Sequence, residues 1–222
     1  MEKGRLEGLS DNVFAVAMTI LVFDLRLPSS DAKGGFAKFF DVRWPHYLAF
    51  VITFALIAMI WVRHHWIFRQ LRILDSALLI LNMALLALII FLPFTTSALA
   101  SYLRADTRDE LLAVLVYGLA VVAVSVVLAA MWLWASTHRN LLHPGVSDDD
   151  VRRVSKRVLV SPLFYVAGFA ISFVSVATAM VVYVLIALSY LWQPQTGADR
   201  ASVAFEEQEA DEEMEAGRDR RT

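Results

Sequence analysis

Apolar residues come in long unbroken blocks along the chain, separated by short polar segments. The block VLVYGLAVVAVSVVLAAMWLWA holds 22 residues without a charge, and a helix needs roughly 20 to cross about 30 Å of hydrocarbon. This block predicts a membrane-spanning helix over about 110–137, and similar blocks predict further helices over about 9–27, 46–68 and 76–102. The stretch 158–192 is too long for one span and predicts a helical hairpin, with a break within 172–178. The predicted fold is all-α, a polytopic membrane protein with six transmembrane helices.

The first block, RLEGLSDNVFAVAMTILVFDLRLP, is unusually polar for a membrane helix. It carries Ser10, Asp11 and Asn12 near one end, Thr19 in the middle and Asp24 near the other end. Placing one Asp in hydrocarbon costs about 2.5–3.5 kcal/mol on insertion scales, so such residues normally face the bundle interior or water. This helix is therefore expected to be wrapped by the others or to line an aqueous path.

An apolar stripe runs along one face of the same block. Residues of an α-helix advance by about 100° each, so Val16, Ile20 and Phe23 share a face, with Thr19 beside it. Val22 lies about 200° around the helix from Ile20 and is expected to pack against other helices. The spacing alone is typical of ordinary helix packing and does not indicate a pore.

Composition and charge fit this class and suggest an orientation. The chain is 58% hydrophobic and 19% charged, below the roughly 25% charge of soluble domains, and its mean hydropathy is +0.57. With the N-terminus in the cytoplasm, 14 of the 20 Lys and Arg residues fall on inner segments. The chain is therefore predicted to be a multi-pass protein of the cell membrane with both termini cytoplasmic. The absence of cysteine excludes disulfides and thiolate chemistry.

The polar segments predict the remaining organisation. Residues 1–193 are expected to form one transmembrane domain, and 194–222 a disordered acidic cytoplasmic tail, since nine of the 22 acidic residues lie within 199–222. The Gly- and Pro-containing segment 29–45 predicts an external loop. The longest internal loop covers 138–157, where three aspartates at 148–150 before a basic run predict a helix N-terminus.

A set of polar residues is predicted to meet near one membrane side. Asp11, one histidine of the His64–His65 pair and Asn82 are expected to form a buried hydrogen-bond network, with Trp61 nearby. Adjacent histidines point about 100° apart, so a shared metal is not expected, and no cofactor is predicted. An alternative is a small proton-coupled transporter that uses Asp11 and both histidines. No HExxH or GxSxG motif supports a membrane enzyme, and no motif indicates nucleic-acid binding.

Residues of the first block resemble the signature of the transmembrane protein 175 family, which is an Arg, three intervening residues and then Phe-Ser-Asp on the first helix. Leu9 stands where the family has Phe, an apolar exchange. The stretch IWVRHHWIF, and Asn82 before LIIFLPF, resemble the family's second and third helices. The matching signature positions are Arg5, Ser10, Asp11, Ala15, Thr19 and Pro28.

The resemblance implies a potassium-permeable cation channel rather than an enzyme. One motif copy in six spans is similar to the prokaryotic members, which implies a homotetramer in the bilayer with the first helix lining a central pore. The implied pore constriction consists of apolar rings at Val16, Ile20 and Phe23, with Thr19 as a polar layer. A carbonyl filter of the TVGYG type does not occur in the sequence. The resemblance also implies that the inner end of the first helix is held in register by Arg5, Ser10 and Asp11, through contacts with the second-helix histidines and Asn82.

Overall fold

A computed structural model describes residues 3–25, 35–103 and 108–173 together with positions 178, 181, 182 and 185. Within these residues the chain forms five long α-helices, which confirms the all-helical prediction. Each is long and apolar enough to cross a membrane. The predicted sixth span and the acidic tail 194–222 lie outside the continuously described residues. The five helices are α1 (Lys3–Ile20), α2 (Gly35–Gln70), α3 (Ser76–Tyr102), α4 (Arg108–Thr137) and α5 (Asp148–Ser172).

Short 3-10 segments follow two of the helices. Leu21–Asp24 continues α1, and Arg139–Leu141 follows α4. The first of these was predicted as α-helix. A 3-10 segment turns by about 120° per residue and rises about 2.0 Å, so the directions of side chains 21–24 differ from those predicted with α-helical spacing.

The start of α2 differs most from the sequence prediction. The segment 29–45 was predicted to be a loop, but the chain is helical from Gly35 onward, eleven residues before the predicted start at His46. Gly35 begins the helix instead of lying inside a turn, and Pro45 is accommodated within it. With 36 residues, α2 is about 54 Å long, which exceeds the roughly 30 Å hydrocarbon core. The loop prediction is therefore wrong over 35–45.

The helix α5 begins where the three aspartates predicted a helix N-terminus. Ser147 is its N-cap, and the Ser147 hydroxyl accepts a hydrogen bond of 3.1 Å from the backbone amide of Asp150. Three acidic side chains in the first turn interact favourably with the positive end of the helix dipole. The helix continues through the predicted fifth span to Ser172, where the predicted break begins.

The core of the bundle lies around α3. This helix packs against α1, α2 and α4, and α5 packs on the far side of α4. Buried residues of α3 recur every three or four positions from Leu78 to Leu99 on the faces toward its neighbours. The largest fully buried side chains elsewhere in the bundle include Phe14, Phe68, Tyr117 and Trp132.

Two loops meet at the end where α2 and α4 terminate. The backbone amide of Arg72 donates to the carbonyl of Leu141 at 2.8 Å, and that of His143 donates to Gln70 at 3.0 Å. Asp75 caps α3 by accepting 2.8 Å bonds from the Leu78 amide and from the Trp134 indole. Partial burial alone would raise the pKa of Asp75, but these two hydrogen bonds, and the nearby charge of His138, lower the pKa below its ordinary value. The contacts fix the relative position of the α2–α3 and α4–α5 connections.

Candidate ion pathway and its supporting network

Helix α1 has one buried face and one exposed face. Leu6, Ser10, Phe14 and Ala17 are buried against α2 and α3. The spacing of four, four and three residues between them is that of one continuous helical stripe. Away from this stripe, Leu9, Val16, Thr19 and Ile20 are exposed. The polar residues of the first block are therefore distributed between two different environments.

The predicted pore residues all lie on the exposed face. The exposed fraction is 54% for Val16, 44% for Ile20 and 75% for Phe23. Thr19 is also exposed, and its hydroxyl donates a 2.8 Å bond to the Val16 carbonyl. Val22 was expected to pack against other helices, but it is 51% exposed, since it lies well away from the buried stripe of α1 even at about 100° per residue. Val16, Ile20 and Phe23 therefore form an exposed apolar surface along α1 and its 3-10 continuation.

Ser10, Asn82 and His64 form a fully buried hydrogen-bond chain that joins α1, α3 and α2. The Asn82 side-chain amide donates to the Ser10 hydroxyl at 3.1 Å, and Ser10 donates in turn to the Leu6 carbonyl at 2.8 Å. The Asn82 oxygen lies 2.8 Å from His64 Nε2. Because this oxygen can only accept, Nε2 carries the proton.

Aromatic rings hold His64 in place. Its ring centroid is 5.5 Å from that of Phe14 and 4.3 Å from that of Phe68. The buried chain of Ser10, Asn82 and His64 is therefore enclosed by apolar side chains, where an unpaired polar group would be costly.

Asp11 lies outside this buried chain, contrary to the predicted network. Its side chain is exposed and accepts a 2.8 Å hydrogen bond from the Trp61 indole. His65 is exposed as well and stacks on Trp61 with ring centroids 5.7 Å apart. The exposed Arg5 makes no hydrogen bond or ion pair with the described residues. Ser10, and not Asp11, occupies the buried position, because neighbouring residues of a helix point about 100° apart and only Ser10 lies on the buried stripe.

A buried hydroxyl cluster and one further side-chain hydrogen bond were not predicted from the sequence. Thr53, Thr96 and Tyr117 form a buried hydroxyl cluster across α2, α3 and α4, with oxygen separations of 3.1 Å and 2.9 Å. At the far end of α1, the Ser97 hydroxyl donates to Asp24 at 3.0 Å. The run Thr-Thr-Ser at 95–97 inside an apolar span was the available signal. Within the described residues no cluster of three or more His, Cys, Asp or Glu side chains is placed to hold a metal ion.

The helical bundle, whose five described helices are each long and apolar enough to cross a membrane, defines a polytopic membrane protein. Comparison with known sequences gives the family. The sequence model described as Endosomal/lysosomal potassium channel TMEM175 matches residues 5–93. A potassium channel of Streptomyces collinus is 35% identical over 189 residues, covering 85% of this chain and 91% of that protein. The chain belongs to the TMEM175 family, a family of channels and not of enzymes.

A solved bacterial structure and a human protein are also similar to this chain. The crystal structure of a lysosomal potassium-selective channel TMEM175 homolog from Chamaesiphon minutus superimposes with a TM-score of 0.76 at 34% identity, covering 86% of this chain and 96% of that one. The human endosomal/lysosomal proton channel TMEM175 is 30% identical over 155 residues. That match covers 66% of this chain but only 31% of the human protein.

Proposed function

We propose that the protein is a potassium-permeable cation channel of the cell membrane that works as a homotetramer. The observation that carries the proposal is the exposure of Val16 and Ile20 on α1 and of Phe23 on its 3-10 continuation, while another face of α1 is buried in the same chain. Four copies arranged with these faces toward a common axis would cover the apolar stripe and enclose a narrow path. The bacterial relatives named as potassium channels support this assignment.

The proposed constriction consists of apolar rings. Rings of Val16 and Ile20 make a hydrated cation lose part of its water, and apolar walls return little of the lost hydration free energy. Sodium holds its water more tightly than potassium, so its entry costs more free energy. Hydrophobic constrictions also close by dewetting. Thr19 lies between these levels, and its hydroxyl proton is used on the Val16 carbonyl, so its oxygen is left to face a passing cation.

The network behind α1 would act as the support of the pore. Ser10, Asn82 and His64 join α1 to α3 and α2 on the side away from the stripe. The Trp61–Asp11 bond adds a second link near the same end of α1. Rigid attachment of this kind keeps four stripes at equal distance from the axis. With the N-terminus cytoplasmic, this support lies at the inner end of the pore.

A proton pathway is the second candidate, because the human relatives are named proton channels. A proton-coupled transporter would use Asp11 with His64 and His65. Asp11 and His65 are exposed and each contacts Trp61, whereas His64 is buried and bonded to Asn82. This separation favours the cation channel, since it leaves no continuous relay among the three groups.

Purified protein in phosphatidylcholine vesicles under a potassium gradient provides the test. The expected result is a potassium current that is larger than the sodium current and needs no second transported species. A proton flux that persists without potassium, and no potassium current, would instead establish the second candidate. Absence of both currents from correctly assembled protein would refute both.

A further inference from the structure

The 3-10 segment that continues α1 has a buried edge and an exposed side. It covers Leu21–Asp24, and residues three apart in a 3-10 segment lie on the same side. Leu21, which is 1% exposed, and the half-buried Asp24 therefore form the edge that packs toward α2 and α3. Phe23 lies on the other side and is 75% exposed.

A side-chain hydrogen bond joins this segment to α3. The Ser97 hydroxyl donates to Asp24 Oδ1 at 3.0 Å, and a hydrogen bond to a charged acceptor is about twice as strong as one between neutral groups. At the end of the segment, the Leu25 amide donates to the Val22 carbonyl at 2.9 Å. Hydrogen-bond geometry inside a 3-10 segment is poor, so its conformation depends on contacts with the rest of the fold. The Ser97–Asp24 bond is such a contact.

The part of α3 that carries Ser97 is itself bonded to other helices. Thr96, the preceding residue, donates to the Thr53 hydroxyl of α2 at 2.9 Å. The Thr53 hydroxyl lies 3.1 Å from the Tyr117 hydroxyl of α4, and all three side chains are buried. Ser97 therefore offers Asp24 a partner whose position is fixed by α2 and α4 together.

The conformation of the 3-10 segment decides where Phe23 lies relative to Ile20. With 3-10 geometry, residue 23 is in line with residue 20 and about 6 Å further along the axis. With α-helical geometry, it would lie about 60° around the axis and about 4.5 Å further along. In a tetramer with α1 at the axis, this difference would move four phenyl rings relative to the ion path. The direction of Phe23 therefore depends on the contacts that hold the 3-10 turn.

We propose that Asp24 and Ser97 are positioning residues for the Phe23 level of the ion path. Their hydrogen bond fixes the 3-10 turn and so sets how closely the four Phe23 side chains approach one another. In this role the Asp24 carboxylate is a hydrogen-bond acceptor and not a site for the cation, because it lies on the edge that packs toward the bundle. The inference rests on the proposed channel function.

The ratio of potassium to sodium permeability, measured from reversal potentials of the full chain in bilayers, tests the inference. Ser97→Ala and Asp24→Ala each break the bond, which releases Phe23 and widens its ring. Each is expected to lower the ratio about twofold, the factor that corresponds to about 0.5 kcal/mol, the lower end for one net hydrogen bond. Asp24→Asn keeps an oxygen that accepts from Ser97 and is expected to restore most of the ratio lost in Asp24→Ala.

Two controls separate positioning from a general loosening of the bundle. Thr95→Ala removes a buried hydroxyl two residues from Ser97, but this hydroxyl is bonded within α3, to the Leu92 carbonyl at 2.8 Å. Its permeability ratio is expected to stay at the wild-type value. In a Phe23→Ala background, Ser97→Ala is expected to change the ratio no further, because the side chain that the bond positions is gone.

Four results would overturn the inference. A wild-type ratio in assembled Ser97→Ala and Asp24→Ala protein would show that the bond positions nothing in the ion path. An equal loss in Thr95→Ala would show a general effect of loosening α3. A further fall caused by Ser97→Ala in the Phe23→Ala background would show that Ser97 acts elsewhere. A normal ratio in Ser97→Ala, with equal losses in Asp24→Asn and Asp24→Ala, would show that the charge acts on the cation directly.

The wild-type recording separates this inference from the proposed function. Absence of potassium current from assembled wild-type protein would refute the channel proposal and this inference with it. A selective wild type with unchanged Ser97→Ala and Asp24→Ala variants would refute this inference alone.

Discussion

The Asn82 amide on α3 donates a 3.1 Å hydrogen bond to the Ser10 hydroxyl on α1, and both side chains are fully buried. Ser10→Ala removes the acceptor and leaves one amide hydrogen of Asn82 unpaired. The expected loss is about 1–2 kcal/mol of stability in detergent, measured by thermal unfolding of the purified assembly.

Ser136→Ala is the matched control for this substitution. The Ser136 hydroxyl also donates to a carbonyl of its own helix, that of Leu133 at 2.8 Å, but it links no second helix. Its replacement is expected to change the melting temperature little. An equal shift for both alanine variants would mean that the contact with Asn82 contributes nothing.

Asp11 and Trp61 are predicted to be coupled through one hydrogen bond of 2.8 Å. Asp11→Ala and Trp61→Phe each break it, and both should reduce the yield of assembled protein. The double variant should lose less than the sum of the single losses, with a coupling energy of about 0.5–1 kcal/mol, since Asp11 is exposed and solvent weakens the bond. Strict additivity in a double-mutant cycle of assembly stability would argue against the coupling.

Asp11→Asn separates hydrogen bonding from charge. The asparagine oxygen still accepts from the Trp61 indole, so assembly should exceed that of Asp11→Ala. If Asp11 only supports the helix, the ratio of potassium to sodium permeability stays unchanged in this variant. A changed ratio in normally assembled Asp11→Asn protein would place Asp11 in the conduction path.

Gln70 offers a substitution that should stabilise the protein. Its side chain is fully buried at the end of α2, and neither its oxygen nor its nitrogen has a hydrogen-bond partner among the residues that the structure describes. Burying such an unsatisfied amide costs about 1–3 kcal/mol. Gln70→Met keeps the length of the side chain, removes both polar atoms and is expected to raise the melting temperature. Gln70→Glu, of similar shape but charged, is expected to lower it. A less stable methionine variant would show that the amide is satisfied in the protein.

Helix positions followed from sequence where local signals were strong. The bounds of α3 agree with the prediction for 76–102 because Asp75 caps its first turn with a side-chain hydrogen bond. The start of α2 was missed because glycine and proline were interpreted as loop signals, although Gly35 begins the helix and Pro45 lies inside it. Local sequence propensity alone does not decide whether a glycine and a proline lie in a loop or within a helix.

The members of the buried hydrogen-bond network could not be identified from the sequence alone, because they depend on how the helices pack. Periodicity separates Ser10 from Asp11 by about 100°, but only the positions of α2 and α3 determine which of the two is buried. The Thr53–Tyr117 contact joins residues 64 positions apart, and no local pattern connects them. The stripe of Val16 and Ile20 was visible from spacing, whereas its exposure depends on the tertiary arrangement of the other helices.

Ile20 provides the most direct test of the proposed pore. It lies about 6 Å along the axis from Val16 and is 44% exposed. In a tetramer its four side chains would meet at one level and force partial dehydration of a cation. Ile20→Asn places hydrogen-bonding groups at that level and makes the constriction wettable. The expected result is a larger current and a weaker preference for potassium over sodium, measured in bilayers by conductance and reversal potential.

The neighbouring position supplies the control for Ile20→Asn. Leu21 is 1% exposed, so Leu21→Asn buries an amide in the apolar core and should reduce folded protein without widening a pore. Val22, although nearby, is unsuitable because it is itself exposed. If correctly assembled Ile20→Asn protein keeps the wild-type conductance and selectivity, Ile20 does not form the constriction. The assignment of Val16, Ile20 and Phe23 to the pore would then have to be abandoned, since it depends on the same exposed surface of α1 and its 3-10 continuation.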